Sequence, residues 1–165
     1  MAASPVLPKM VGQRIKRRED PRLIQGRATY VDDIKIVGME HVAFARSDIA
    51  HGRIRSVDTS AAEAHPGVLA VVTAKDLAEV PDILAEIGED AVLSLKYLSN
   101  NILAGDKVLY KGHPVAAVAA ESAHEAEAAL KLIKVDYEVL PTVVTVEDAM
   151  KPDAAILHEH MTTAS

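Results

Sequence analysis

The chain has 165 residues, 49% of them hydrophobic, which fits one domain with one core. It carries no cysteine, which excludes disulfides, thiolate metal sites and iron–sulfur ligands from this chain and agrees with a reducing compartment. A net charge of -6 and an aromatic content of 3% argue against nucleic-acid binding, which calls for concentrated basic faces and stacking rings.

Residues 1–11 hold Pro5 and Pro8 among small side chains and read as an extended arm that needs another surface to hold it. A basic stretch follows: Arg14, Lys16, Arg17, Arg18, Arg22 and Arg27, interrupted by Glu19 and Asp20. It reads either as a solvated surface or as a docking arm in which Arg17, Arg18 and Arg22 meet a partner subunit. Half-buried strands are predicted over residues 39–46 and 54–57 from their alternation. Ser60 and Glu63 have capping-box spacing, and Pro66-Gly67 ends the helix that this box starts. Residues 68–72 read as a buried strand, and Thr73 with Asp76 repeats the cap spacing ahead of a short turn carrying Leu77 and Ala78.

Residues 79–107 are punctuated by Pro81, Gly88, Asn100-Asn101 and Gly105 and read as a long irregular excursion. Order returns with a short strand at 107–110. The small-residue run 115–120 is expected to be a central strand, and its alanines leave room for a helix. Ser122 and Glu125 cap that helix, and Ala126, Ala129, Leu130 and Ile133 recur at its period. Val135, Tyr137 and Val139 alternate with Asp136 and Glu138 in a last strand stopped by Leu140-Pro141. Two strand–helix–strand units at these lengths fit right-handed crossovers on one or two sheets. The longest apolar run is too short for a membrane span and no apolar leader opens the chain, so a cytoplasmic protein is expected.

Chemistry is sparse. None of the seven histidines forms an i, i+4 pair around a glutamate. His158-Glu159-His160 could bring two imidazoles together, a poor metal site by itself. His51 reads as a structural hydrogen bonder, with proton carrier as the sharper alternative. Asp32-Asp33 suits turn duty, because adjacent residues of a strand face opposite ways. No serine has a nucleophile elbow, and Gly12, Gly26 and Gly38 are too widely spaced for a phosphate loop. No catalytic, cofactor-binding or metal-ligating residue is assigned, and a stand-alone hydrolase has no base-and-orienter pair behind it.

Several stretches together resemble a known family. They are Arg18-Glu19-Asp20, Gly26-Arg27-Ala28-Thr29-Tyr30-Val31-Asp32-Asp33, Gly38-Met39, Arg46-Ser47 with His51 and Ile54, and Asp58-Thr59-Ser60-Ala61-Ala62. Pro66-Gly67-Val68 through Leu77, Lys107 to Tyr110, Gly112, Pro114-Val115-Ala116, residues 119–122 and Val135-Asp136-Tyr137-Glu138 with Leu140-Pro141 continue the series. In order and spacing they resemble the N-terminal α/β-hammerhead domain of the molybdenum-binding large subunit in the xanthine dehydrogenase and aldehyde oxidase family, nearest in flavour to carbon monoxide dehydrogenase large chains. Departures from that pattern include Val37 before Gly38, Asp48-Ile49 where proline is frequent, Gly52 in place of an alanine after His51, and His113 where glutamine is frequent.

The resemblance implies an α+β fold, an α/β-hammerhead of mixed sheets with two main packing helices. It implies an arm at 1–11, the domain proper at 12–150, and a linker at 151–165 toward a molybdenum-binding region. A complete enzyme of this kind is implied to use a molybdopterin-type molybdenum cofactor, 2Fe-2S clusters and FAD. Its partners would be the molybdenum-binding remainder and iron–sulfur and FAD subunits, and this chain alone is expected to be inactive. The alternative is an independent ligand- or protein-binding module of the same fold.

Overall fold

The computed structural model describes residues 12–86 and 92–158, and the chain divides into two compact units, residues 1–39 and 40–165. In the first unit a short helix, α1 (Asp20–Ile24), starts with Pro21 in its first turn, where the missing N–H costs nothing. The Asp20 carboxylate closes a clip by accepting from the Arg17 backbone N–H at 3.1 Å and from Arg17 Nε at 2.9 Å. Gly26, at φ +67°, turns the chain out of the helix, and its N–H reaches the Leu23 carbonyl at 3.1 Å. Asp33 accepts from the Tyr30 N–H at 2.9 Å to hold a 3-10 turn at Val31–Asp33, the turn duty expected of that aspartate. No residue from 12 to 39 is buried.

The second unit holds β1 (His41–Arg46), β2 (Gly52–Asp58), α2 (Ser60–Glu63), β3 (Val68–Thr73), β4 (Leu84–Glu86), β5 (Val92–Ser94) and α3 (Leu95–Asn100). It continues with β6 (Lys107–Val108), β7 (Pro114–Ala120), α4 (Ala123–Leu130), β8 (Lys134–Val139) and α5 (Val146–Ala149). One sheet has the order β1-β7-β3 and the other β6-β2-β8, with β4 and β5 in a separate hairpin. Every pairing is antiparallel. The two strand–helix–strand units do not cross over within one sheet. Each runs from the centre of one sheet, β2 or β7, through a helix to the edge of the other, β3 or β8.

The central position expected for residues 115–120 is where β7 lies, and the reason for its small side chains is visible. Alternate residues of a strand face opposite ways. Val118 packs with Ala62 and Ala129 on one side, joined by Val71 and Leu130, whereas Val115 packs with Ala104 and Val108 on the other, joined by Ile54 and Val135. Thus β7 contributes to both cores, and its alanines let α4 approach closely. The cap of α4 is as expected: Ser122 Oγ accepts from the Glu125 N–H at 3.2 Å and donates to the Glu125 carboxylate at 2.9 Å. The helix ends at Leu130, so Ile133 reaches the core from the turn beyond it.

Four local expectations change. The N-cap of α2 is Thr59, because Asp58 takes both the N–H and the hydroxyl of Ser60, at 3.1 and 2.6 Å. Strand β3 is half-buried, with Leu69 exposed beside a bulge between Val68 and Ala70. The stretch 79–107 contains the hairpin β4–β5 and helix α3 in place of a continuous irregular loop. The turn at Ala74–Asp76 stops before Leu77, and Asp76 accepts from the Thr73 N–H and hydroxyl at 2.7 and 2.8 Å.

Candidate functional site

Among its described residues the second unit buries Ser94, which donates to the Asp82 carboxylate at 2.5 Å, and, apart from it, Ser47 and His51 in the β1–β2 connection and His113 just before β7, with half-buried Tyr137 on β8 beside Ser47. Backbone pairs tie the loops together. Ser47 N–H donates to the His113 carbonyl at 2.9 Å, and Gly112 N–H donates to the Ser47 carbonyl at 2.8 Å. The Ser47 hydroxyl is committed locally, donating to the Ile49 carbonyl at 2.8 Å and accepting from the Ile49 N–H at 3.2 Å. A hydroxyl so engaged, with no imidazole on it, is a turn lock and not a nucleophile.

His51 sits 2.7 Å from the Pro141 carbonyl through Nδ1. A carbonyl only accepts, so Nδ1 carries a proton. The Leu140 N–H returns to the His51 carbonyl at 3.0 Å, so this residue fastens the end of β8 to the start of β2. The structural reading of His51 is therefore the one the geometry supports. Its Nε2 is buried and has no hydrogen-bond partner among the described residues.

His113 is fully buried, its ring stacked on Tyr110 at 4.5 Å between centroids. Its Nδ1 accepts from the Leu109 N–H at 3.2 Å, which puts the proton of the neutral ring on Nε2. Burial pushes its pKa down, and the Asn101 backbone offsets part of that without reaching hydrogen-bonding geometry at Nε2. Burial also pushes the Tyr137 phenol up, with the Ser47 hydroxyl opposing. Both groups are thereby held neutral near pH 7. The group fastens three loops, and sequence reasoning singled out His51 but gave His113 no role beyond its departure from glutamine.

Elsewhere the predicted residues lie apart. His124 is exposed on α4, while His41 and His65 are half-buried. The proposed His158-Glu159-His160 pair falls partly outside the described residues. Among the described residues no three His, Cys, Asp or Glu side chains group as metal ligands. No chemical step is assigned to these residues. A cleft of about 900 Å³ lies beside Arg55, Val57, Lys75, Asp76, Lys96 and Asp106, but the Asp76 carboxylate is spent on its own turn. In the first unit Arg17 is occupied by Asp20, whereas Arg18 and Arg22 are exposed and make no ion pair or side-chain hydrogen bond among the described residues. No helix among the described residues is long and apolar enough to cross a membrane.

Comparison with known proteins places the fold. The sequence profile described as aldehyde oxidase and xanthine dehydrogenase, a/b hammerhead domain, matches residues 25–141. The carbon monoxide dehydrogenase large chain of Afipia carboxidovorans is 43% identical over 155 residues, covering 90% of this chain and 18% of that protein. The xanthine dehydrogenase molybdenum-binding subunit of Escherichia coli O157:H7 is 34% identical, covering 82% and 18%. A crystal structure of the Cu,Mo-CO dehydrogenase in its carbon monoxide reduced state aligns with a TM-score of 0.71 and 39% identity, over 93% of this chain and 18% of that one. The chain thus spans about 18% of the length of these relatives. On that match the chain belongs to the aldehyde oxidase and xanthine dehydrogenase family, as its a/b hammerhead domain.

Proposed function

We propose that this chain is the structural and docking hammerhead domain of the large subunit of a molybdenum hydroxylase, and that it has no catalytic activity alone. The observation that carries the reading is the alignment of 93% of the chain onto a Cu,Mo-CO dehydrogenase at 39% identity. Residues 12–150 form the domain, 1–11 an arm, and 151–165 a linker toward a molybdenum-binding region. The complete enzyme hydroxylates a substrate or oxidises carbon monoxide at a molybdopterin-bound molybdenum. Such an enzyme would also hold 2Fe-2S clusters and FAD, which would supply the electron-transfer chemistry. The clusters belong to other segments or subunits, since this chain has no cysteine to ligate iron, and the molybdenum cofactor and FAD are assigned to other segments or subunits with them. The assembly works in the cytoplasm.

The test is co-purification. An affinity-tagged copy of this chain, expressed in its own host, is expected to bring down the molybdenum-binding, iron–sulfur and FAD polypeptides together. If the remaining subunits show full molybdenum-dependent activity and no binding to this chain, the reading is wrong. Retrieval of an unrelated partner would favour the independent binding module.

A further inference from the structure

The first unit presents apolar side chains that nothing in it buries. Ile24 is 84% exposed and Val31 82%, with Tyr30, Ile36 and Val37 also exposed along the same short stretch. Scattered single exposures are ordinary on a surface, but a segment of 28 residues with these five and no buried residue has no core of its own. Its turns are nevertheless set, by the Arg17–Asp20 clip, the Gly26 exit of α1 and the Tyr30–Asp33 hydrogen bond. The shape is thus prearranged, which lowers the ordering cost of binding.

Its charge is opposite to that of the rest of the chain. Residues 12–39 contain seven Lys and Arg against four Asp and Glu, net +3, within a chain of net -6. Arg18 and Arg22 are exposed and make no ion pair among the described residues, so the complement is an apolar surface bordered by carboxylates. The CO dehydrogenase alignment leaves 7% of 165 residues, about 12, uncovered, fewer than the 28 of this segment. Most of the segment therefore has a counterpart within one large chain. That chain is more than five times as long as the aligned part, and tethered surfaces meet at effective concentrations of about millimolar.

We infer that residues 12–39 are a docking strap for the molybdenum-binding remainder of the same large subunit, with Ile24, Val31 and Ile36 as apolar anchors and Arg18 and Arg22 as charge contacts. Arg17 shapes the strap through Asp20. This inference rests on the functional reading above.

Two measurements on the purified holoenzyme test it. Amide exchange over residues 12–39 should be slower by about tenfold or more in the holoenzyme than in this chain alone. Zero-length carbodiimide cross-linking should join Lys16 or Lys35 to Asp or Glu residues of the molybdenum-binding region of the same polypeptide. Arg18→Glu with Arg22→Glu should cut the yield of that cross-link severalfold, whereas Arg14→Glu should leave most of it. Equal exchange in the two states overturns the inference, as do cross-links only to another subunit or to a second copy of this chain. Absence of this chain's peptides from the purified holoenzyme is a different result and removes the functional reading itself.

Discussion

Replacing Gly52 by alanine is expected to destabilise the second unit through one neighbour, Ile49. Gly52 is buried at the start of β2, and a Cβ there would overlap Ile49 Cδ1 and lie 3.0 Å from the Glu138 carbonyl, while Ile49 Cγ1 would stay at an ordinary 3.6 Å. Ile49 cannot swing away freely, because it packs against the Ala104, Val108 and Val115 core. Overpacking of this kind costs roughly 1–3 kcal/mol. Ile49→Val removes the clashing Cδ1 at a cost of about 0.5–1.5 kcal/mol. In that background Gly52→Ala retains only the tight Glu138 contact, and it restricts the unfolded chain by about 0.4–1 kcal/mol in favour of folding. The double variant should therefore lie close to Ile49→Val alone, a coupling of about 1 kcal/mol or more. Urea unfolding of the four proteins, followed by circular dichroism, measures the cycle. Additivity within about 0.5 kcal/mol would refute the assignment of Ile49 as the residue that excludes alanine. Ile49 thus fills the space that an alanine at position 52 would use.

Three further outcomes are expected. His113, with its pKa lowered by burial, stays neutral in the folded state while the unfolded chain protonates below pH ~6.5, so stability should fall with acidity by up to ~1.4 kcal/mol per pH unit. His113→Gln should flatten that part of the slope between about pH 5 and 7; an unchanged slope relative to the parent would exclude His113 as its source. The window lies above the titration of Asp58 and Asp76, whose pKa values are lowered by hydrogen bonds from Ser60 and Thr73. Ser122→Ala should remove the cap of α4 and cost about 1 kcal/mol, read from the urea midpoint. Gly67→Ala should cost about 1–3 kcal/mol, because φ is +80° there and the new Cβ meets the Glu125 carboxylate that completes the same cap. If Gly67→Ala and Ser122→Ala act on one feature, their losses should be less than additive.

Where local chemistry decides, the sequence was legible. Ser122 three residues before Glu125 named the start of α4, and the alanine-rich run of β7 named a strand that buries both faces. Competition among neighbours hid the start of α2: nothing in the spacing of Ser60 and Glu63 tells that Asp58 will take the Ser60 hydroxyl. The hairpin β4–β5 has three residues per strand, too few for a period to emerge. The buried polar group was least legible, because its partners are distant in the chain. His51 finds Pro141 90 residues away, and no local pattern records such a pairing. The family resemblance supplied the fold as a whole, which periodicity alone left as one or two sheets.

The exchange of strands between the sheets sets a timetable for synthesis. The first sheet needs β1, β3 and β7, so it is complete only once residue 120 has been made, and the second waits for β8, ending at residue 139. Neither sheet can be finished from the N-terminal half of the chain. Until β7 emerges, β1 and β3 have no common partner, and until β8 emerges one edge of β2 is bare. Both cores share β7, so they should form together late in translation, and a ribosome paused before residue 114 would hold a chain with β1 to β6 made and neither sheet complete.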